Sequence, residues 1–501
     1  MCKCLHLSTS TAGCPDEAVD WIAGMTRPSS AALAAIADAS QSVMWHETAT
    51  WTPYLQPTDT PLPMHADVVI LGGGYTGLWT ALWLKEYDPT LSVVVIEAEH
   101  IGFGASSRNG GWVSALMPTS GQRLAHLAGG GAAGEHAAKD ALAVLRTVVA
   151  EFGEVLDQFG IDADYKRAGT FLAARNPVHE QRAHDDVADA KRWGAADSDL
   201  MWTPTLTAMR FAQMDQLQGG TFNPHCASIQ PAKLVTGVAR AAAQRGVKIH
   251  EGVRALRHSD TGTVMTTAGE ITAGVVVRAL EAYTPSLEGQ QRTFAPVYSL
   301  MLATEPLEEE ALQQIGLPSG ITFADYRHLI IYGQRTADNR IAFGGRGAPY
   351  HFGSKVDASY EQNPQVHAAL FDILRDMFPQ LDSVKVTHTW GGALAMPRDW
   401  TPSVGYDPRR KLAWSGGYLG DGVTMSYVGG RALAELICGR TSRLTSLPWI
   451  GHHSRTWEPE PLRWMGIQAG LSAMTWADAA ERRTGRASHV ANVVDWVLRR
   501  P

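Results

Sequence analysis

The stretch DVVILGGGYTGLWTALWLKE, residues 67–86, places four glycines in six positions between an apolar run and a helical pattern. Gly72, Gly74 and Gly77 stand at the G-x-G-x-x-G spacing that cradles a dinucleotide. The first glycine of such a turn bends the chain off its strand. The second lets the backbone approach a pyrophosphate with no Cβ in the way, and the third lets the helix lie close to the sheet. Tyr75 and Thr76 then open a helix whose free N–H groups face the phosphates. A second strand pattern ends in Glu97, 20 residues past Gly77, where a carboxylate can accept hydrogen bonds from ribose hydroxyls. Strand, glycine turn, helix, strand and acid together raise the motif above a bare glycine pattern.

Two further stretches decide between nicotinamide and flavin. IGFGASSRNGGW, 101–112, follows the second strand directly. Ser106, Ser107, Arg108 and Asn109 offer donors to a pyrophosphate and a ring, and Gly110 and Gly111 permit close packing beneath a flat group. LAWSGGYLGDGVTMSYVGGRALAELICG, 412–439, reads as strand, glycine-rich turn and helix. Gly420, Gly422 and Val423 would set that helix N-terminus against a ring edge, and a helix N-terminus favours negative charge, as on a reduced flavin. The expected cofactor is FAD.

These motifs need elements to hold them. Strand patterns cover 67–71, 91–98, 248–253, 274–280, 328–333 and 340–345; helical patterns cover 75–86, 139–158, 232–245, 364–377 and 425–439. Early alternation of strand and helix predicts a βαβ layer with a parallel sheet. The strands clustered between 250 and 345 predict an added antiparallel sheet. The fold class is thus mixed α/β: a Rossmann-like FAD-binding domain interleaved with an antiparallel-sheet substrate domain. The division expected is an N-terminal extension, poorly ordered, over 1–43; an FAD-binding domain from 44–170, 220–295 and 386–445; a substrate domain from 171–219 and 296–385; and a C-terminal extension over 446–501. GGGAAGE, 129–135, reads as a flexible loop. The C-terminal segment, with Trp449, Trp457 and Trp464 near prolines, reads as a strap on its own domain or as a partner interface.

The 501 residues are 45% hydrophobic and 19% charged, with a net charge of −7. A sizeable core can be buried, and a nucleic-acid partner is not expected. No apolar run is long enough for a membrane span. The five cysteines, Cys2, Cys4, Cys14, Cys226 and Cys438, form no disulfide framework, and a reducing cytoplasm fits them. No metal is expected; Cys2, Cys4 and His6 make a weak candidate set.

Taken together, GGGYTG, IEAEHIGFGASSRNGG, GGTFNPHCASIQPAKL (219–234), VVVRALEAYTPSL (275–287), ATEPL (303–307), RIAFGGRG (340–347) and WGG…TPSVG…GGYLGDGV (390–423) resemble the FAD-dependent oxidoreductases of the D-amino-acid oxidase superfamily. That group includes glycine, sarcosine and γ-glutamylputrescine oxidases, and the last type is the nearest. The resemblance runs from about residue 44 to 445 and implies a glutathione-reductase-like FAD fold. It implies that Gly72, Gly74 and Gly77 hold the pyrophosphate and Glu97 the ribose. Arg108, Asn109, Gly110 and Gly111 would run beneath the flavin, Val253 would meet the adenine through its backbone, and Gly420, Gly422 and Val423 would lie at the pyrimidine edge. The reaction implied is hydride loss from an amine-bearing carbon to flavin N5, with no general base required if the amine arrives neutral. The reduced cofactor would pass its electrons to oxygen or to another acceptor.

Arg346 falls on the substrate side, to bind a substrate carboxylate or to make a structural ion pair. Tyr332 and His328 would line the pocket or simply pack a strand, and Trp112 would wall the ring or fill core. Four departures stand out. Ala342 occupies the place of a lysine that assists oxygen in sarcosine-oxidase relatives. WGGALAM, 390–396, lacks the cysteine that attaches FAD covalently in those relatives, so FAD should be non-covalent. Asp421 replaces the histidine of a G-H-G motif, pointing to solvent or capping the following helix. Glu281 replaces an asparagine. Two other readings stay open: a same-fold dehydrogenase serving a carrier or quinone, and a flavin-holding subunit without turnover. Arg346 leans the substrate toward an anionic group, and the absence of an acidic cluster on the substrate-side strands argues against free polyamines.

Overall fold

The computed structural model describes residues 27–49, 61–348 and 350–488, apart from the side chains of 346–348. One sheet has the order Ser403–Asp407, Leu412–Gly416, Gly269–Arg278, His65–Leu71, Val93–Ile96 and Lys248–His250. Along this path the pairings are parallel except that of Ser403–Asp407 with Leu412–Gly416. Val68 and Ile70 enter one core while Val69 and Leu71 enter another on the opposite face. Burial on both faces is why these strands read as unbroken apolar runs. An antiparallel pair, Ala255–His258 with Thr263–Thr266, hangs from Gly269–Arg278.

The helix Tyr75–Tyr87 is buried along nearly its whole length. It is covered by Gly422–Ile437, whose Gly430 approaches so closely that a Cβ there would lie 2.8 Å from the Cβ of Trp79. Pro231–Gln244 packs beside it.

The second sheet has the order Val386–Met396, Ala295–Thr304, Ile341–Ala348, Ile331–Arg335, Thr322–Asp325, Thr170–Ala174, Gly219–Asn223 and Met201–Pro204. It is antiparallel except between Thr322–Asp325 and Thr170–Ala174. One face packs Phe171, Phe323 and Phe343 against Leu370 and Phe371 of the helix Pro364–Met377. The other face carries Leu172 and Ala324, which line a cavity between the two sheets.

The elements depart from expectation in four places. Val386–Met396 and Gly219–Asn223, expected in the dinucleotide layer, are strands of the second sheet, because pairing with Ala295–Thr304 and with Thr170–Ala174 fixes them there. The GGGAAGE segment is the start of the helix Gly131–Phe159 rather than a loop. Gly130 precedes it at φ 72°, and Gly134 lies against the carbonyl of Ala125, so a neighbouring helix can cross closely. The described part of the N-terminal extension is ordered: Ser29 caps the helix Ser30–Ile36 by accepting from the Ala32 N–H at 3.0 Å, and Ala32 is buried. Residues 1–26, with Cys2, Cys4 and His6, lie outside the described residues. In the C-terminal segment Trp449 and Trp457 turn inward, and the Trp457 indole donates to the Met396 carbonyl at 2.7 Å. The helix Leu462–Thr484 completes it.

Candidate functional site

One cavity of about 660 Å³ lies between the sheets and gathers most of the residues singled out above. At one end stands the glycine turn. Gly72 sits at φ 109°, a region closed to most side chains, and a Cβ at Gly77 would lie 2.1 Å from the Gly72 carbonyl oxygen. The turn therefore exists only with glycine at both positions. Gly74 precedes the helix Tyr75–Tyr87, and the Ser106 hydroxyl accepts from the Tyr75 N–H at 2.9 Å. Glu97 leaves the end of Val93–Ile96. Its Oε2 accepts from the Gly73 N–H at 2.7 Å and its Oε1 from the Glu99 N–H at 3.0 Å. Burial pushes its carboxyl up, against those two N–H bonds. Glu99 in turn is paired with Arg254 at 2.6 Å.

The loop after Glu97 is held from behind. The Trp390 indole donates to the Arg108 carbonyl at 2.9 Å and the Trp45 indole to the Asn109 carbonyl at 3.0 Å. Arg108 is ion-paired with Glu361 and donates through Nε to the Phe103 carbonyl at 2.7 Å. Asn109 bridges its own loop: Nδ2 donates to Ser106 and Ala105 while Oδ1 accepts from the Gly111 N–H at 2.8 Å. Arg108, Asn109, Gly110 and Trp112 line the cavity; Gly111 lies behind it, against Gln334 and Ile229.

A second helix N-terminus, that of Gly422–Ile437, reaches the same cavity with Gly420, Asp421, Gly422 and Val423. The first helix is tied to the turn that precedes the second by hydroxyls: Thr76 Oγ1 to Tyr418 at 2.9 Å and Tyr418 to Ser415 Oγ at 2.7 Å. Asp421 is half-buried in the lining and makes no side-chain cap, so the expected capping role is not the one it fills. Glu281 also reaches the cavity. Its Oε1 accepts from the N–H groups of Gly417 and Tyr418 at 3.1 and 3.0 Å, and burial pushes its carboxyl up to about 7.

On the second sheet Tyr332 lines the cavity, bonded to Ser299 Oγ at 2.8 Å, its ring against Gly110 and edge-on to Trp112 at 6.4 Å. Arg346 sits on the neighbouring strand opposite Ser299; its side chain is outside the described residues. Three residues singled out in the sequence stand outside the cavity lining. His328 is not in the lining: it is drawn to Glu481 of the C-terminal helix at 3.0 Å. Val253 adjoins the lining residues Arg254 and Ala255, its N–H donating to the Glu97 carbonyl at 2.9 Å. Ala342 lies in an apolar cluster with Trp45 and Trp390, behind the loop rather than in the cavity.

Sequence reading missed Trp45, Glu361 and Asp186. Trp45 stands beside the N-terminal extension, and the other two are carboxylates on a short helical turn and a surface helix, indistinguishable by type from solvated acids. Asp186 lines the cavity from the helix Pro177–Arg192, so an acidic group does stand on the substrate side. His328, Asp478 and Glu481 converge as a metal site could, yet Arg182 donates to both Glu481 oxygens at 2.7 and 2.8 Å and makes the group an ion-paired pin.

The geometry suits a dinucleotide: a carboxylate at one end, two helix N-termini, and a cavity that runs between them to the Ser299–Tyr332 wall. The profile of the family described as "DAO: FAD dependent oxidoreductase" matches residues 67–436. The chain belongs to this family of FAD-dependent oxidoreductases. Among the family's members, "Gamma-glutamylputrescine oxidoreductase" of Escherichia coli (strain K12) is 29% identical over 398 residues, covering 77% of this chain and 87% of that one. "Sarcosine oxidase subunit beta" of Rhizobium meliloti (strain 1021) is 24% identical over 403 residues, covering 77% and 87%. The crystal structure of glycine oxidase from Geobacillus kaustophilus shares the FAD-oxidoreductase fold with a TM-score of 0.63 and 20% identity, covering 76% of this chain and 96% of that one. Among the described residues no helix is long and apolar enough to cross a membrane.

Proposed function

We propose that this protein oxidises a carbon–nitrogen bond of an amine or amino acid, with FAD held non-covalently. FAD, when bound, takes up the hydride from the amine-bearing carbon. The observation that carries this reading is the continuity of one cavity from Glu97 and the glycine turn to the Ser299–Tyr332 wall. Relatives named for γ-glutamylputrescine, sarcosine and glycine oxidation support the substrate class. Gly72, Gly74, Tyr75, Thr76 and Gly77 would hold the pyrophosphate through the close approach the glycine turn allows and the helix N-terminus. Glu97 would accept from the ribose hydroxyls. Arg108, Asn109, Gly110 and Gly111 would form the floor beneath the ring system, kept rigid by Trp45, Trp390 and Glu361. Gly420, Gly422 and Val423 would aim a second helix N-terminus at developing negative charge. Tyr332, oriented by Ser299, and Arg346 would position the substrate.

Support for a non-covalent link is that neither described cysteine lines the cavity; Cys226 and Cys438 are free and stand apart, which also suits a reducing cytoplasm. The place of Ala342 in a dry cluster favours a second reading within the same chemistry, a dehydrogenase that serves an acceptor other than oxygen.

The test is anaerobic addition of sarcosine, glycine, D-amino acids, putrescine and γ-glutamylputrescine to the purified yellow protein, following the visible flavin band. Bleaching by one of them is expected, followed by slow recovery of colour in air and release of the colour by acid precipitation. A yellow protein inert to the whole set would favour a flavin-holding subunit, and a colourless one would sink the cofactor assignment.

A further inference from the structure

The cavity extends past the loop that would carry the flavin. Arg108 lies against Gly392 on Val386–Met396, and Gly110 against Tyr332 on Ile331–Arg335. Two strands further along the same sheet, about 10 Å at the usual strand spacing, Leu172 faces the cavity on Thr170–Ala174, opposite Thr221 in register. The helix Pro177–Arg192 follows that strand and folds back on it, bringing Asp186 into the wall.

Most other charged groups of the described lining have partners, and Asp421 stands apart from the substrate side, at the N-terminus of Gly422–Ile437. Arg108 is taken by Glu361, Arg254 by Glu99, and Asp325 by Arg327 in a two-pronged pair. Glu97 and Glu281 accept backbone N–H groups. The helix neighbours of Asp186 are also engaged: Asp185 accepts from Gln181 at 2.8 Å and Asp189 from the Trp193 indole at 3.2 Å. Asp186 has no ion-pair partner among the described residues. Its interaction is with the neutral Tyr326 hydroxyl, itself bonded to Thr221 Oγ1 at 2.8 Å. Asp186 is exposed as a residue, and partial desolvation of its carboxyl beside Tyr326 raises it to about 6, so it remains largely ionised above neutrality. The lining on this side includes the apolar Leu172, Ala324, Ile330 and Ile331, with Asp325 among them held by Arg327.

We propose that Asp186 is a specificity residue whose carboxylate receives a second cationic group of the substrate, so that the preferred substrates are diamines or amines with a distal ammonium group. The apolar stretch takes the methylene chain, and the carboxylate offsets the cost of removing the far ammonium from water. A methyl group in the ammonium's place leaves that carboxylate without its partner, which is the stronger source of discrimination.

This inference rests on the amine-oxidising reading but is tested apart from it. Holoprotein reduced with dithionite cannot oxidise a ligand, so affinity is read at equilibrium by anaerobic titration calorimetry. The probes are putrescine and cadaverine against n-butylamine and n-pentylamine. At least one diamine is expected to bind about tenfold or more tighter than the monoamine of equal length. In D186N that preference should vanish while monoamine affinity holds, and D186E should keep part of it; the yellow colour and thermal melt of each variant control for folding. Equal affinity for diamine and monoamine in the wild-type protein, or a preference that survives in D186N, would overturn the assignment. Diamine binding lost in D186N, with oxidised wild-type protein bleached by no amine, would leave Asp186 as the recognition residue and remove the oxidation reading instead.

Discussion

Glu281 is a residue whose chemistry is altered by its place. It begins a short 3₁₀ turn at φ 44°, holds two backbone N–H groups of the second glycine turn through Oε1, and leaves Oε2 buried without a partner. Burial raises its carboxyl to about 7, whereas an unfolded chain releases that proton near pH ~4.3. Between those values the folded protein holds a proton that the unfolded chain has lost. Stability contributed at this position therefore falls as pH rises through the window, and levels off above the folded value. The full difference is at most about 4 kcal/mol. E281Q keeps the acceptor and has no proton to lose. It should melt higher than the wild-type protein at about pH 8, with the gap closing toward about pH 5. A gap in melting temperature that is constant with pH would show that Glu281 does not titrate in this way.

At the scale of elements, the two helices that reach the cavity are set by one close crossing. A Cβ on Gly430 would lie 2.8 Å from Trp79 Cβ and 2.9 Å from the Thr80 nitrogen. G430A must push Gly422–Ile437 away from Tyr75–Tyr87, an overpacking that costs about 1–3 kcal/mol. Both helix N-termini move with it. A lower melting temperature and a weaker FAD affinity are expected together; a variant with both unchanged would show that the crossing has slack. These helices and the parallel strands were legible in the sequence because burial on both faces leaves unbroken apolar runs, and Glu97 was legible because a fixed chain distance separates it from Gly77. Sheet membership was less so. Val386–Met396 is assigned by its pairing with Ala295–Thr304, some ninety positions away, and no local pattern encodes a partner. Asp186 was hidden for a related reason: in PVHEQRAHDDVADAKR it is one of several acids on a polar helix, and only the fold of that helix onto Thr170–Ala174 turns it toward the cavity.

At the scale of the whole molecule, segments near both ends of the described residues brace the site. Residues 30–48 supply Trp45 beneath the loop 108–111, and the helix Leu462–Thr484 crosses to the far end of the second sheet. There Asp478 accepts from the N–H groups of His328 and Leu329 at 2.7 and 2.9 Å, across about 150 positions of chain, while Glu481 binds His328 and Arg182. The segment so held runs directly into Ile330, Ile331 and Tyr332 of the cavity wall. A brace at this end touches the substrate side and leaves the glycine turn alone. D478A removes both charged acceptors, each worth about 1.5–3 kcal/mol to a hydrogen bond. Hydrogen exchange at His328 and Leu329 should accelerate by about 30-fold for each 2 kcal/mol lost. With the wall loosened, KM for the substrate should rise while FAD affinity stays at the wild-type value, because Glu97 and Gly72–Gly77 stand at the opposite end of the cavity. Exchange rates unchanged in D478A would mean that the C-terminal helix rests on the sheet without bracing it. A loss of FAD affinity equal to the rise in KM would mean that the two ends of the cavity are mechanically one.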